Sequence, residues 1–229
     1  MKVAVLQSNY LPWKGYFDLI NDVDLFVFYD EVQYTKNDWR NRNIIYSKQG
    51  KSWITVPVSY KFGQTIIDTK IQNKIDWKKD NWNKLINAYS KAPYWRNYSD
   101  FFYSAYFEHD WNYLYELNRF FIINICKEFL KIKTKFADSR EYSSEGQKGE
   151  KLLSLLSSIG IKNYISGSAA KNYISEDEFS ARGFNVTWKD YSGYKEYKQI
   201  STPFLHQVSI VDLIFNLGPN ASKFIFEKI

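Results

Sequence analysis

Arg40 and Arg42 stand two residues apart, next to Trp39 and interleaved with the amides Asn41 and Asn43. A guanidinium fork matches phosphate or carboxylate oxygens two at a time, and a neighbouring indole offers its face to a sugar or a base. On a strand two such arginines share a face; in a loop both can turn onto one anion. The alternative is a salt bridge from one arginine to Asp30, with the other solvated. Asp30 follows the apolar run Leu25–Phe28 and reads either as a turn residue or as a proton acceptor at a strand end. Gln7 follows another apolar run and has an amide able to donate and accept. Ser166, Gly167 and Ser168 make a small-residue turn where backbone can approach a ligand, and Lys171 follows, expected in the first turn of a helix. His206 is one of only two histidines and titrates near neutrality, so it is a candidate general base with a hydrogen-bonded structural role as the rival reading. His109 reads as a surface or capping group, and no nucleophile–base pair stands out.

Composition bounds what these groups can serve. The chain has 229 residues, of which 45% are hydrophobic and 19% aromatic, with 8 Trp and 19 Tyr. That is enough to bury a full core and leave rings over for a cleft or surface. One cysteine, Cys126, rules out an intrachain disulfide and a Cys-based zinc site, and two histidines argue against a His-rich metal centre. No metal is expected. The net charge of +6 favours anionic partners, but the lysines are scattered and no nucleic-acid consensus is present, so DNA is not an expected partner. No apolar run nears the ~20 residues of a membrane span, and the start of the chain is too weakly apolar for a signal peptide. The cytoplasm is the expected compartment.

The elements that must hold these groups follow from periodicity. Lys2–Leu6 reads as a strand, Gln7 to Gly15 as a polar turn into an amphipathic helix, and the run ending at Tyr29 as a second strand. Residues 31–46 read as a long functional loop. Ser52 to Ser59 reads as a strand ended by Pro57, with Thr65 to Lys70 as its partner. From about 74 to 133 apolar residues recur at helical spacing, broken at Ala92-Pro93, which predicts three helices. Alternation then returns: a strand at Lys135 to Ala137, a helix over Lys148–Ile159 closed by Gly160, and strands at Asn163 to Ser166 and Asn185 to Trp188. A last helix begins at Ser209 in a capping box with Asp212 and stops at Gly218-Pro219. The expected architecture is one α/β domain over 1–229, a mostly parallel Rossmann-like sheet flanked by helices, with a helical insertion at about 74–133. The first turn lacks G-x-G-x-x-G and the P-loop, so neither motif of dinucleotide or nucleoside-triphosphate binding is present.

Five ordered motifs add a family likeness. They are Q-x-x-Y-x-P-W-x-G-Y-F from Gln7 to Phe17, Y-D-x-x-Q-Y from Tyr29 to Tyr34, and W-x-N-R-N from Trp39 to Asn43. S-G-x-x-x-x-x-Y from Ser166 to Tyr173 and S-I-x-D-L-x-F-N-x-G from Ser209 to Gly218 complete the set. Across nearly its full length the chain resembles the WbqC-like family, whose genes lie in bacterial O-antigen and other surface-polysaccharide clusters. The resemblance implies a role in O-antigen or lipopolysaccharide biosynthesis: a transferase that adds an aminoacyl group, glycyl for example, or an acyl group to the amine of a nucleotide-linked amino sugar.

In that scheme Arg40 and Arg42, with Lys171, hold the diphosphate, and Trp13 or Trp39 stacks on the base or sugar. Gln7, Tyr10 and Asn43 position polar groups, Ser166 and Tyr173 line the second loop, and Asp30 or His206 accepts the amine's proton. The donor stays open among an acyl-phosphate, an acyl-adenylate made from ATP, a thioester and an aminoacyl-tRNA, and a homodimer is left open. The rival functions are a non-catalytic nucleotide-sugar or polysaccharide-binding protein and an ATP-dependent adenylating ligase.

Overall fold

A computed structural model describes residues 1–172 and 174–228. Its main sheet has five strands in the order β5-β2-β1-β6-β7, all parallel: β1 Lys2–Leu6, β2 Leu25–Phe28, β5 Lys135–Asp138, β6 Asn163–Gly167 and β7 Asn185–Lys189. β1 is central. The chain builds outward from it in one direction through β2 and β5, then returns to its other side for β6 and β7. Parallel strands covered on both faces read as continuous apolar runs, and Val3, Ala4 and Val5 are all buried.

Those residues alternate between two cores. Val3, Val5, Val27 and Tyr164 pack under α5 (Lys148–Ile159) and α6 (Glu176–Ala181), with Leu153, Leu156 and Phe179. Ala4, Phe26 and Phe28 face the larger core, built from α1 (Lys14–Asn21), the mid-chain helices and α7 (Ile210–Leu217). The mid-chain helices are α2 (Trp77–Tyr89), α3 (Trp95–Phe107) and α4 (Leu114–Asn124), the last running into a π-helical turn, Ile125–Phe129. The expected α/β class and helical stretch are both present. α5 keeps the expected bounds and ends on Gly160 at φ 76°, a conformation that favours glycine.

The departures lie in the crossover between β2 and β5 and at the C-terminal end. Residues 31–46 are not a loop throughout. Arg42–Ser47 is a strand, β3, paired antiparallel with β4, Gly50–Thr55. The expected partner of β4, Thr65 to Lys70, forms no strand: Thr65 makes an isolated bridge with Gln33 and Lys70 one with Tyr113, and Ser59 N–H donates to the Lys70 carbonyl at 2.9 Å, beyond the end of β4. The ladder stops at Thr55 because the next residues pair elsewhere: Val56 N–H donates to the Asn41 carbonyl, and Pro57 has no N–H to donate. At the C-terminal end, Ser209 caps α7 through Val211 N–H as expected. Asp212 does not close the box, because its Oδ1 accepts instead from Tyr197 and from Gln199. A short further helix, α8 (Lys223–Phe226), follows the one expected to be last.

Candidate functional site

In an open parallel sheet, ligands sit beyond the carboxyl ends of the strands where the strand order reverses. Here that point is between β1 and β6. β1 stays in register with β2 as far as Leu6↔Phe28 but with β6 only at Lys2↔Asn163 and Val3↔Tyr164. The strands part beyond Val3, and the ends of β1 and β6 open a crevice. Tyr191 sits in it: a Cβ on Gly167 would lie 3.2 Å from the Tyr191 hydroxyl, and the Tyr191 ring centroid is 5.3 Å from that of Trp13. On the other side of Trp13 a cavity of 330 Å³ is lined by Asn9, Pro12, Trp13, Trp39, Asn43 and Gln207.

The turn after β1 is held by groups far away in sequence. Leu11 takes φ 42°, a left-handed conformation unusual for a branched residue. Asn43 Nδ2 donates to the Tyr10 and Leu11 carbonyls, and Ser209 Oγ donates to Leu11 O at 2.8 Å. The indole of Trp13 folds back over Gly15, where a Cβ would meet it at 2.3 Å. Gly15→Ala is therefore expected to push the indole off the cavity wall and to lower stability by about 1–3 kcal/mol in chemical denaturation, the usual cost of overpacking. A variant as stable as the wild type would contradict this packing.

Arg40 lies across the end of β1. It donates through Nη1 to Asn9 Oδ1, through Nη2 to Gln7 Oε1 at 3.2 Å, and stands 3.9 Å from Asp38. Arg42 takes a different course. Its Nη2 donates to the Asn37 carbonyl at 2.5 Å and its guanidinium lies 4.2 Å from the Trp53 ring centroid. The two arginines do not converge, and neither pairs with Asp30. Trp39, which lines the cavity, forms a pair with Trp53 5.6 Å away, and each is about 40% exposed. Trp53 was not among the residues singled out in the sequence, although alternation within β4 puts it on the open face.

Asp30 is fully buried and both its oxygens are taken. Oδ1 accepts from Ser8 N–H at 2.7 Å and Oδ2 from Arg119 Nε at 2.8 Å. That is the geometry of an anchor, and Asp30 is not among the residues that line the cavity. Arg119 also binds Asp138 at the end of β5, and its guanidinium lies 4.8 Å from Phe28 and 5.0 Å from Tyr115. Burial alone would push the Asp138 carboxyl up, but hydrogen bonds from Arg140 and Arg119 outweigh it and hold the group far below the usual carboxylate range. Sequence reasoning missed Arg119; its one signal is a charge amid the apolar spacing of α4.

The remaining expected site residues scatter. Tyr10 is buried, with its hydroxyl bonded to Tyr106 and accepting from Asn81 Nδ2 at 3.2 Å. Burial and the neighbouring Tyr106 push its pKa well up, so it is a core group and not a cavity-lining one. Ser166 is buried, its Oγ accepting from Tyr164 at 3.1 Å. Lys171 lies in a 3-10 turn, Ser168–Asn172, and not in the first turn of α6; its ammonium is 5.3 Å from the Trp188 ring. Tyr173 lies outside the described residues. His206 is half-buried beside Gln207, and its Nδ1 is buried with no hydrogen-bond partner among the described residues. Burial and the Lys14 charge hold its pKa below the ordinary 6.5.

Among the described residues no helix is long and apolar enough to cross a membrane. The chain is 44% identical to the uncharacterized protein Rv1507c of Mycobacterium tuberculosis (strain ATCC 25618 / H37Rv) over 226 residues, spanning 98% of this chain and 97% of that protein. No solved structure matches it. The family model described as the WbqC-like protein family matches residues 7–224, from the Gln7 that meets Arg40 to the second residue of α8. On that match, which takes in every strand but the first in full and the whole of the cavity lining, the chain belongs to the WbqC-like protein family.

Proposed function

We propose that the protein is a cytoplasmic transferase of bacterial surface-polysaccharide biosynthesis that acylates the amine of a nucleotide-linked amino sugar. What supports this reading is the cavity at the carboxyl end of β1, between the Trp13 and Trp39 indoles, with the Arg40 charge held against its Asn9 wall. A sugar ring fits between indoles, and an anionic tail fits a cation whose position two amides fix. Arg42 lies against Trp53, the ring paired with Trp39, and Asn43 keeps the turn in shape.

In the reaction the amine nitrogen attacks the acyl carbon of an activated donor, an amide forms, and the donor's leaving group departs. The proton lost by the amine goes to His206, one residue from the cavity-lining Gln207. Asp30 holds Arg119 and the Ser8 backbone in place. The donor is an acyl-phosphate, an acyl-adenylate, a thioester or an aminoacyl-tRNA.

A thermal-shift screen against UDP- and dTDP-linked amino sugars, ATP and coenzyme A tests the reading. A ligand at ~100 times its Kd adds about 2.7 kcal/mol of apparent stability. A nucleotide-sugar is expected to raise Tm in the wild type and not in Arg40→Ala. Silence towards every nucleotide-sugar overturns it, and a response to ATP alone favours an adenylating ligase. A ligand-induced shift with turnover unaffected in His206→Ala favours a different proton acceptor.

A further inference from the structure

Neither an acid nor a base lines the 330 Å³ cavity; its polar side chains are the amides Asn9, Asn43 and Gln207 and the indoles Trp13 and Trp39. What each amide can offer a ligand depends on what it already bonds. Asn43 is spent on the chain itself: Nδ2 donates to the Tyr10 and Leu11 carbonyls, and Oδ1 accepts from Ile44 N–H at 2.8 Å. Gln207 is exposed and its amide makes no hydrogen bond among the described residues, so it can turn either way. Asn9 differs from both. Its Oδ1 accepts from Arg40 Nη1, while Arg40 Nη2 donates to Gln7 Oε1 at 3.2 Å. A guanidinium has no lone pair to offer, so the Asn9 amide can face it only with its oxygen.

The amide is planar, so its amino group is turned away from Arg40. Nδ2 makes no hydrogen bond among the described residues, and Asn9 is half-buried on the cavity wall. Asn9 thus presents donors alone, and the Trp13 and Trp39 indole N–H groups, likewise unbonded among the described residues, add donors to the same lining. Such an end selects its ligand. An ammonium brings three donors and no acceptor and finds nothing to bond. A hydroxyl binds no better than it would to a freely turning amide. A phosphate oxygen only accepts, and it meets the Arg40 charge directly behind the amide. Asp38, 3.9 Å from Arg40, is not among the lining residues. Ligand pockets run from about 300 to 1,000 Å³, so this cavity has room for a hexose and one phosphate, and the rest of a larger ligand stays outside.

We propose that Asn9 is a ligand contact: its Nδ2 donates to the phosphate of a sugar phosphate, the part of the substrate that the cavity encloses. This rests on the reading of the cavity as a sugar site. The phosphate is then held at Asn9, and the sugar's amine is left to the Gln207 end, whose uncommitted amide oxygen can accept from it.

Two-dimensional amide NMR of the whole chain tests this, with Asn9→Asp identifying the Asn9 amino signals and Trp13→Phe and Trp39→Phe the two indoles. The probes are glucosamine-1-phosphate, glucosamine and UDP-glucosamine. The first is expected to move the Asn9 amino signals and both indoles, and glucosamine to leave the Asn9 signals nearly in place. Asn9→Asp has the same shape and keeps an oxygen on Arg40, but turns an acceptor into the cavity in place of a donor. It is expected to weaken glucosamine-1-phosphate by about 10- to 100-fold, the usual weight of a hydrogen bond to a charged group. Asn9→Ser, which lacks the amide, replaces it should Asn9→Asp fail to fold. Wild-type affinity in the folded variant, or glucosamine moving Asn9 as far as its phosphate does, overturns the proposal. Indole shifts without an Asn9 shift overturn it and leave the sugar site standing, whereas silence in all three signals overturns both. An Asn9 shift with glucosamine-1-phosphate but not with UDP-glucosamine supports the contact and removes only the nucleotide link.

Discussion

Arg119→Ala is expected to destabilise the protein by about 3–5 kcal/mol, the usual consequence of removing one partner from a buried ion pair. For a chain of this size that is a fall in Tm of roughly 10 °C. Asp30 is fully buried, and Arg119 is its one ion-pair partner among the described residues. Without it the carboxylate keeps only the Ser8 amide among the described residues, and Asp138 keeps Arg140 as its ion-pair partner. A triple variant with Asp30→Asn and Asp138→Asn added is expected to recover much of the loss, because no uncompensated charge remains. A loss below ~1 kcal/mol in Arg119→Ala would contradict the buried pairing.

The same cluster sets an acid limit. The Asp138 carboxyl is depressed in the folded state, so its contribution is fully present above the unfolded value of about 3.9 and drains away as pH falls from there towards the lower folded value. Wild-type stability is expected to fall more steeply than that of Arg119→Ala as pH drops from about 5 to about 2.

Phe215→Ala is the second large effect, about 3–5 kcal/mol by chemical denaturation. Phe215 of α7 is fully buried and lies 4.8 Å from Trp95, 5.2 Å from Phe102 and 5.4 Å from Tyr89, measured between ring centroids. Its carbonyl also accepts from Tyr94 N–H at 3.0 Å. These contacts join α7 to α2 and α3, so the loss is expected to appear as a lower midpoint of the whole transition. A loss under ~1 kcal/mol would mean that this junction is not packed in solution.

The strands of the main sheet and the long helices were legible because burial imposes a pattern. Val3 to Val5 and Leu25–Phe28 must be apolar on both faces, and the spacing of Leu85, Tyr89, Phe102, Leu117 and Phe121 follows a buried helical stripe. β3 was not legible, since Asn41 and Asn43 look like loop residues. They are buried because their amides bond backbone carbonyls of Val56, Tyr10 and Leu11, a role that composition cannot announce. The cavity was half legible. Trp13, Trp39 and Asn43 line it as a pattern of types suggested, whereas the partner of Asp30 is 89 positions away and no local rule selects Arg119 over Arg40 or Arg42. Tyr10 went to the core because a tyrosine with two buried hydrogen-bonding neighbours no longer needs water.

The central place of β1 bears on how the chain is made. β1 is translated long before β6, the strand on its second side, which begins at Asn163. Until that stretch leaves the ribosome, the side of β1 that β6 covers at Lys2 and Val3 also has open backbone donors and acceptors, which is the pattern that invites intermolecular pairing. The β1–β2–β5 half can form early, and its unguarded edge then waits for the rest. Nascent chains stalled before residue 163 are the ones that would call on chaperones, and slow synthesis of the middle of this protein would lower its soluble yield more than slow synthesis of its end.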